Sequence, residues 1–232
     1  GARALRNLTG GRHYWEWRGV PFLRERADDQ SFDPSFLDAP PDCVLFGYFQ
    51  TPRYFESMEQ EFRDELKSLL GISKQDRETG WENLGQDVPA TSVAVHVRRT
   101  DYLVHPAFRV CGMNYYKNAF DTMRASVPGA RFFVFSDDPA WCRENLEGQD
   151  TTIMDSGNDG IPMHDLRLMS RASHHIICNS SYSWWAAWLG KKPGQQVIMP
   201  DRWYAKDITA PIEEKRCEGW NMVGTTPAGR TR

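Results

Sequence analysis

Apolar and polar positions change their spacing twice along the chain. Up to residue 50, aromatic side chains fall irregularly among proline and glycine (Tyr14-Trp15-Glu16-Trp17, Phe22, Phe32, Pro34, Pro40-Pro41). That pattern predicts a loop-rich region closing on a strand at Val44-Leu45-Phe46-Gly47-Tyr48-Phe49-Gln50. From Pro52 to Leu70 the spacing turns helical, with Phe55, Met58, Phe62, Leu66, Leu69 and Leu70 on one stripe and Glu, Arg and Lys on the other. A core-packing helix is the expectation. Residues 71–90 are polar with three glycines, which places a domain boundary there. The expected division is an N-terminal region at 1–88, a second domain at 89–222 and a flexible tail at 223–232.

Beyond the boundary, short apolar runs alternate with helical patterns. Strands are expected at Ser92–Val97, Arg131–Phe135, Thr152–Met154, His174–Cys178 and Gln196–Met199. Between them lie helices near Asn114–Ala125, from Pro139, near Met163–Arg171 and at Ser181–Leu189. Alternation at this spacing predicts an α/β domain with a parallel, doubly wound sheet.

The first of these strands ends in charge: Ser92-Val93-Ala94-Val95-His96-Val97-Arg98-Arg99-Thr100-Asp101-Tyr102. A buried strand that delivers two arginines to the rim of an open sheet delivers them where ligands bind. Side chains alternate across a strand, so Arg98 and Arg99 start toward opposite faces and take different tasks. A guanidinium suits a phosphate because its rigid fork gives two parallel hydrogen bonds and its charge does not titrate. A pair tied up by local carboxylates explains the same residues equally well. Two further strand ends carry polar groups. In Phe135-Ser136-Asp137-Asp138-Pro139, Asp138 reads as a helix N-cap and Asp137 as a buttress for an arginine. In Cys178-Asn179-Ser180-Ser181-Tyr182-Ser183-Trp184-Trp185, hydroxyls crowd the first turn of a helix, which fits either an anion site or simple serine capping. Trp184, Trp185 and Trp188 read as core.

Composition narrows the class. With 232 residues and 40% apolar content the chain can bury a sizeable core, and a net charge of −3 argues against a nucleic-acid binder. The five cysteines are scattered, with no C-x-x-C pair, which fits a reducing compartment better than a disulfide framework. No apolar run reaches membrane-spanning length and no signal pattern opens the chain. A soluble, cytoplasmic chain is expected, with peripheral membrane association and homo-oligomerisation left open. G-x-G-x-x-G, G-x-x-x-x-G-K-[ST] and H-E-x-x-H are all absent, which removes the common dinucleotide, P-loop and zincin readings. No Asp-x-Asp pair occurs, so a phosphate site would draw on arginine, hydroxyls and helix N-termini rather than on magnesium ligands.

His96-Val97-Arg98-Arg99-Thr100-Asp101-Tyr102 resembles the H-x-R-R-x-D-Y signature of the α-1,2-fucosyltransferases, glycosyltransferase family 11. The resemblance extends through Leu45–Gln50, Tyr115-Tyr116-Lys117, Phe135–Asp138, Asp165–Ser170, Asn179–Leu189 and Pro200–Tyr204. It implies a GT-B-like, inverting enzyme moving L-fucose from GDP-β-L-fucose to a glycan hydroxyl, forming an α-1,2 linkage to a terminal galactoside without metal or other cofactor. By the same comparison Arg99 would hold the β-phosphate, and His96 and Asp165 would lie near the guanosine. Asp137 would support the arginine or nucleotide, and Ser180 or Ser181 would line the phosphates. Arg98, Asp138 and Asn179 complete the expected nucleotide-binding set, and Asp101 and His105 are the candidate bases. The chain departs from the family pattern in lacking a Gly-Gly-x-Gly-Asn-Gln segment before residue 44 and in showing Cys111-Gly112 where a His-Gly pair is common. Two rivals remain: an α-1,6- or protein O-fucosyltransferase, and a GDP-sugar-binding module without turnover.

Overall fold

The computed structural model describes residues 19–26, 30–72, 88–154, 162–205 and 211–225. The chain divides into two compact units, Gly1–Glu56 with Asp207–Arg216, and Ser57–Lys206 with Cys217–Arg232.

In the smaller unit, β1 (Phe22–Arg24) pairs in parallel with β2 (Val44–Phe46). The strand expected to run on to Gln50 stops at Phe46 because the buried Glu25 carboxylate draws the next residues into a turn. It accepts from Tyr48 N at 2.6 Å and from Phe49 N at 3.3 Å. Phe49 takes a left-handed φ of 47°, and a Cβ on Gly47 would lie 2.4 Å from the Glu25 Cβ, so this corner admits only glycine. The rings of Phe36, Phe49 and Tyr54 meet edge to face over the turn.

The helix expected from Pro52 begins only at Glu59, in the larger unit, and its buried face is rotated from the expected stripe. Residues 52–58 form two 3-10 turns, the first opened by the Thr51 hydroxyl accepting from Arg53 N, and α1 runs over Glu59–Leu69. Its buried residue is Arg63, while Leu69 is largely exposed. The cause is an aromatic surface. Arg63 lays its guanidinium 3.7 Å from the centre of the Trp188 ring, and Phe62 packs on Trp185 and Trp188. These contacts group α1 with the sheet unit, so the chain divides at Ser57, ahead of the polar stretch 71–90. Residues 73–87 of that stretch lie outside the described residues.

The sheet elements follow as β3 (Ser92–Val97), α2 (Thr100–Val104), α3 (Met113–Ser126), β4 (Arg131–Ser136), α4 (Pro139–Leu146), β5 (Thr151–Ile153), α5 (Pro162–Arg171), β6 (His174–Ile176), α6 (Ser181–Leu189) and β7 (Val197–Pro200). The expected boundaries hold to within two residues. Alternation had not indicated α2, the short α7 (Ile212–Lys215) of the smaller unit, or the last strand β8 (Trp220–Val223). Val223, where the tail was expected to begin, is still in β8, and residues 226–232 lie outside the described residues.

All neighbours in the six-stranded sheet are parallel, in the order β5-β4-β3-β6-β7-β8. Counted by appearance this is 3-2-1-4-5-6, the Rossmann-type doubly wound order, whose reversal point lies between β3 and β6. Val93, Val95 and Val97 face the layer of Tyr115, Tyr116, Phe120 and Met123 from α3, and Cys142 from α4. Ala94, with Phe133 and Phe135 of β4, faces Leu166 and Met169 of α5 and Ala186 of α6. Burying each valine or larger side chain is worth about 1.5–3 kcal/mol, so both layers hold the sheet.

Gly190 closes α6 against the end of α5. A Cβ there would sit 2.6 Å from the Ser170 carbonyl oxygen and 2.9 Å from His175 Cε1. Its φ of −75° is ordinary, so any cost of a side chain is steric. Gly190→Ala should therefore lower stability by about 1–3 kcal/mol, the usual range for overpacking. Equilibrium urea unfolding checks this, and an unchanged midpoint with unchanged slope would show that the helices yield freely.

Candidate functional site

Three neighbouring strands, β4, β3 and β6, release their chains at one edge of the sheet, and each release is followed by a helix. The side-chain parity of β3 carries past its end. Position 99 continues the odd series that faces α3 and α4, and position 98 the even series. The arginines part accordingly. Arg99 Nε donates to Asp138 Oδ2 at 3.0 Å, and its guanidinium carbon lies 3.9 Å from the centre of the Trp141 ring on α4. Arg98 Nε donates to Asp101 Oδ1 at 2.8 Å and comes within 3.4 Å of Asp137 Oδ2.

Asp137 ties β4 to β3 through backbone more than through guanidinium. Its carboxylate accepts from Arg99 N at 2.8 Å, from Thr100 N at 3.1 Å and from the Thr100 hydroxyl. Asp138 caps α4, accepting from Trp141 N at 3.1 Å through Oδ1 while Oδ2 takes Arg99. These two bonds, Trp141 N–H first and the arginine second, hold its carboxyl below the ordinary range. The buttress expected at Asp137 is thus divided: Asp137 fixes the backbone, and Asp138 fixes the Arg99 side chain.

On the other side of β3, His96 is buried beneath the rim, with Nδ1 3.2 Å from Cys178 Sγ and its ring 5.4 Å from that of Tyr182. Burial lowers the imidazole to about 4, with Arg98 adding to the effect, and raises the Cys178 thiol to about 12. At neutral pH the pair is therefore uncharged, a neutral thiol against a neutral imidazole. Asp165 lies in the first turn of α5, and its charge, after burial, raises the Tyr182 phenol. The His96–Tyr182 ring contact thus links β3 to α6.

The Asn179-Ser180-Ser181 segment divides in function. Asn179 is buried, and its Nδ2 donates to the backbone carbonyls of Phe108 and Trp203, both at 3.1 Å, while its own backbone carbonyl accepts from the Tyr102 hydroxyl at 3.1 Å. It struts the loops behind the rim. Ser180 stands at the N-cap of α6 without its hydroxyl bonding back into the first turn, and Ser181 is exposed beside it. Ser180 therefore does not cap α6 through its side chain, and its hydroxyl engages the Tyr102 phenol instead. Asp101 is exposed and held below its ordinary range chiefly by the Arg98 hydrogen bond, and His105 is exposed at the end of α2 with its ring edge-on to Phe108.

Sequence reading had not singled out Thr100, Trp141 or Tyr182 individually. A signal for Trp141 existed: three residues after an N-cap aspartate is the position whose N–H the cap receives, which sets Trp141 beside whatever Asp138 holds. Among the described residues no three His, Cys, Asp or Glu side chains cluster closely enough to hold a metal ion, and no helix is long and apolar enough to cross a membrane.

A family model described as glycosyl transferase family 11 matches residues 33–224. An Escherichia coli alpha-1,2-colitosyltransferase is 31% identical over 173 residues, covering 70% of this chain and 57% of that protein. The Escherichia coli O-antigen biosynthesis glycosyltransferase WbnK is 29% identical over 175 residues, 69% of this chain and 55% of its own length. Human galactoside alpha-(1,2)-fucosyltransferase 1 is 33% identical over 139 residues, 57% of this chain and 36% of its own length. The chain spans 57% or less of each of these three relatives. The matched stretch includes the entire parallel sheet and its arginine-bearing rim, and the chain belongs to glycosyl transferase family 11.

Proposed function

We propose that the protein is an inverting glycosyltransferase that takes L-fucose from GDP-β-L-fucose and places it on a glycan hydroxyl, in α-1,2 linkage to a terminal galactoside. The observation that carries this reading is Arg99. It stands at the carboxyl end of β3, next to the strand-order reversal, with Nε and one guanidinium face occupied and no hydrogen-bond partner for Nη1 or Nη2 among the described residues. Those two nitrogens are the pair a phosphate engages in parallel. As the fucosyl C1–O bond breaks, negative charge grows on the departing diphosphate, and a donor already in place stabilises that charge without reorganising. The α6 N-terminus, with Ser180 and Ser181, would add backbone N–H groups and hydroxyls.

In this reading the nucleotide is a substrate and no metal or further cofactor takes part. Asp165 would accept from guanine N1–H and its exocyclic amine, with His96 beneath the nucleoside. Asp101 is poorly matched to the task of base because Arg98 keeps it ionised and weakly basic, which leaves His105 as the better proton acceptor. The relatives' names differ in the sugar transferred, colitose in one and fucose in another, so the donor sugar is part of the test.

Two outcomes check this function. Incubated with GDP-fucose and a panel of galactosides, the protein should form an α-1,2 fucoside identifiable by NMR, and EDTA should leave the rate in place. Another linkage, another GDP-sugar preferred, or GDP binding without transfer would overturn the corresponding part of the proposal. Loss of activity to EDTA with recovery on adding manganese would overturn metal independence.

Arg99→Lys keeps the charge but loses the fork. A charge-assisted hydrogen bond is worth about 1.5–3 kcal/mol, so kcat/KM should fall about 10- to 150-fold. Near-normal kinetics would remove Arg99 from the phosphate.

Asp165→Ala should weaken GDP far more than ADP in calorimetry, because adenine lacks the paired donor edge and a site built for that edge rejects analogues without it. Unchanged discrimination between the two nucleotides would take Asp165 out of the guanine site.

A further inference from the structure

Arg99 is one corner of a closed three-residue unit. Asp138 gives one carboxylate oxygen to Trp141 N at 3.1 Å and the other to Arg99 Nε at 3.0 Å. The Trp141 indole then lies 3.9 Å from the Arg99 guanidinium carbon, closing the ring of contacts. Trp141 is itself seated, packed against the buried cluster that contains Val97 and Cys142. The arginine is therefore held in two independent ways, by a hydrogen bond in its plane and by a ring across its face. An arginine side chain otherwise has rotamer freedom to lose when it binds a ligand.

We propose that Trp141 and Asp138 are positioning residues that set the plane and direction of Arg99, so that Nη1 and Nη2 meet a terminal phosphate of the bound nucleotide without prior reordering. The inference rests on the phosphate role proposed above for Arg99. It assigns Asp138 to the arginine and not to the ligand, which is consistent with a carboxylate whose two oxygens are both engaged. It also gives the tryptophan a task that burial alone does not explain. A merely space-filling residue there could be any large apolar side chain, whereas this unit needs a flat π surface.

The test compares binding of GDP with binding of GMP, which lacks the β-phosphate, by calorimetry on the full chain. Trp141→Leu keeps an apolar side chain without a π face, and Trp141→Phe restores a face. Asp138→Ser keeps an N-cap for α4 but is too short to reach Arg99. The expectation is that Trp141→Leu and Asp138→Ser each weaken GDP by about 3- to 30-fold, the range of one cation–π or charged contact, while GMP changes little. Trp141→Phe should recover most of the loss, and adding Trp141→Leu to Arg99→Ala should cost nothing more. If Arg99→Ala leaves the GDP-to-GMP ratio untouched, the phosphate role of Arg99 fails. If Arg99→Ala lowers the ratio and neither Trp141→Leu nor Asp138→Ser does, the positioning role fails while the phosphate role stands. Equal losses on both nucleotides would reduce Trp141 to a structural part and overturn the inference. Should Trp141→Leu not fold, Asp138→Ser and Trp141→Phe decide it on the same ratio.

Discussion

The rim depends on how the chain leaves β3, and that departure is set by one carboxylate on the neighbouring strand. Asp137 receives two consecutive backbone N–H groups, from Arg99 and Thr100, together with the Thr100 hydroxyl. Those donors would otherwise be unpaired at the first turn of α2, so the bonds satisfy the helix start and lock β3 to β4 at the same time. Once this corner is fixed, parity decides the rest. Position 99 falls to the α4 side and meets Trp141 and Asp138, and position 98 falls to Asp101. Remove Asp137, and both arginines lose the backbone frame that separates them.

The sheet was legible because its strands are short apolar runs between amphipathic helices, and that spacing leaves few alternatives to a parallel fold. Ser92–Val97 and Ser181–Leu189 match the structure residue for residue. The errors fall where a tertiary contact overrides the local pattern. Val44–Gln50 reads as one strand until Glu25, twenty residues upstream or more, gathers the N–H groups of Tyr48 and Phe49. Arg63 reads as solvent-facing until an indole on a distant helix offers it a surface. Neither partner can be identified from spacing, because in both cases the attraction acts across the fold rather than along it.

The site was legible to the extent that its groups are strand-end residues. Sequence alone suggested that Arg98 and Arg99 would diverge and that Asp138 would cap a helix, and both follow from local geometry. It could not show that the same Asp138 would hold Arg99, since that needs β3 and β4 to be paired in register, Val97 opposite Ser136. Asn179 shows the reverse. A polar residue in a motif suggests a ligand contact, and spacing gives no sign that its amide nitrogen donates to two loop carbonyls, those of Phe108 and Trp203, behind the rim.

The ion pairs at the rim also determine how it meets an anion at a distance. Arg98 and Arg99 contribute +2, and their partners Asp101, Asp137 and Asp138 contribute −3, so the five groups sum to −1. The chain as a whole is also negative, at −3. These side chains therefore cast no attractive field beyond the screening length of about 8 Å in physiological salt. An anion approaching them is not drawn in from afar. In the proposed function recognition would come at contact, through the donors that point outward, and the carboxylates that cancel the arginines' charge are the same groups that determine where those donors point.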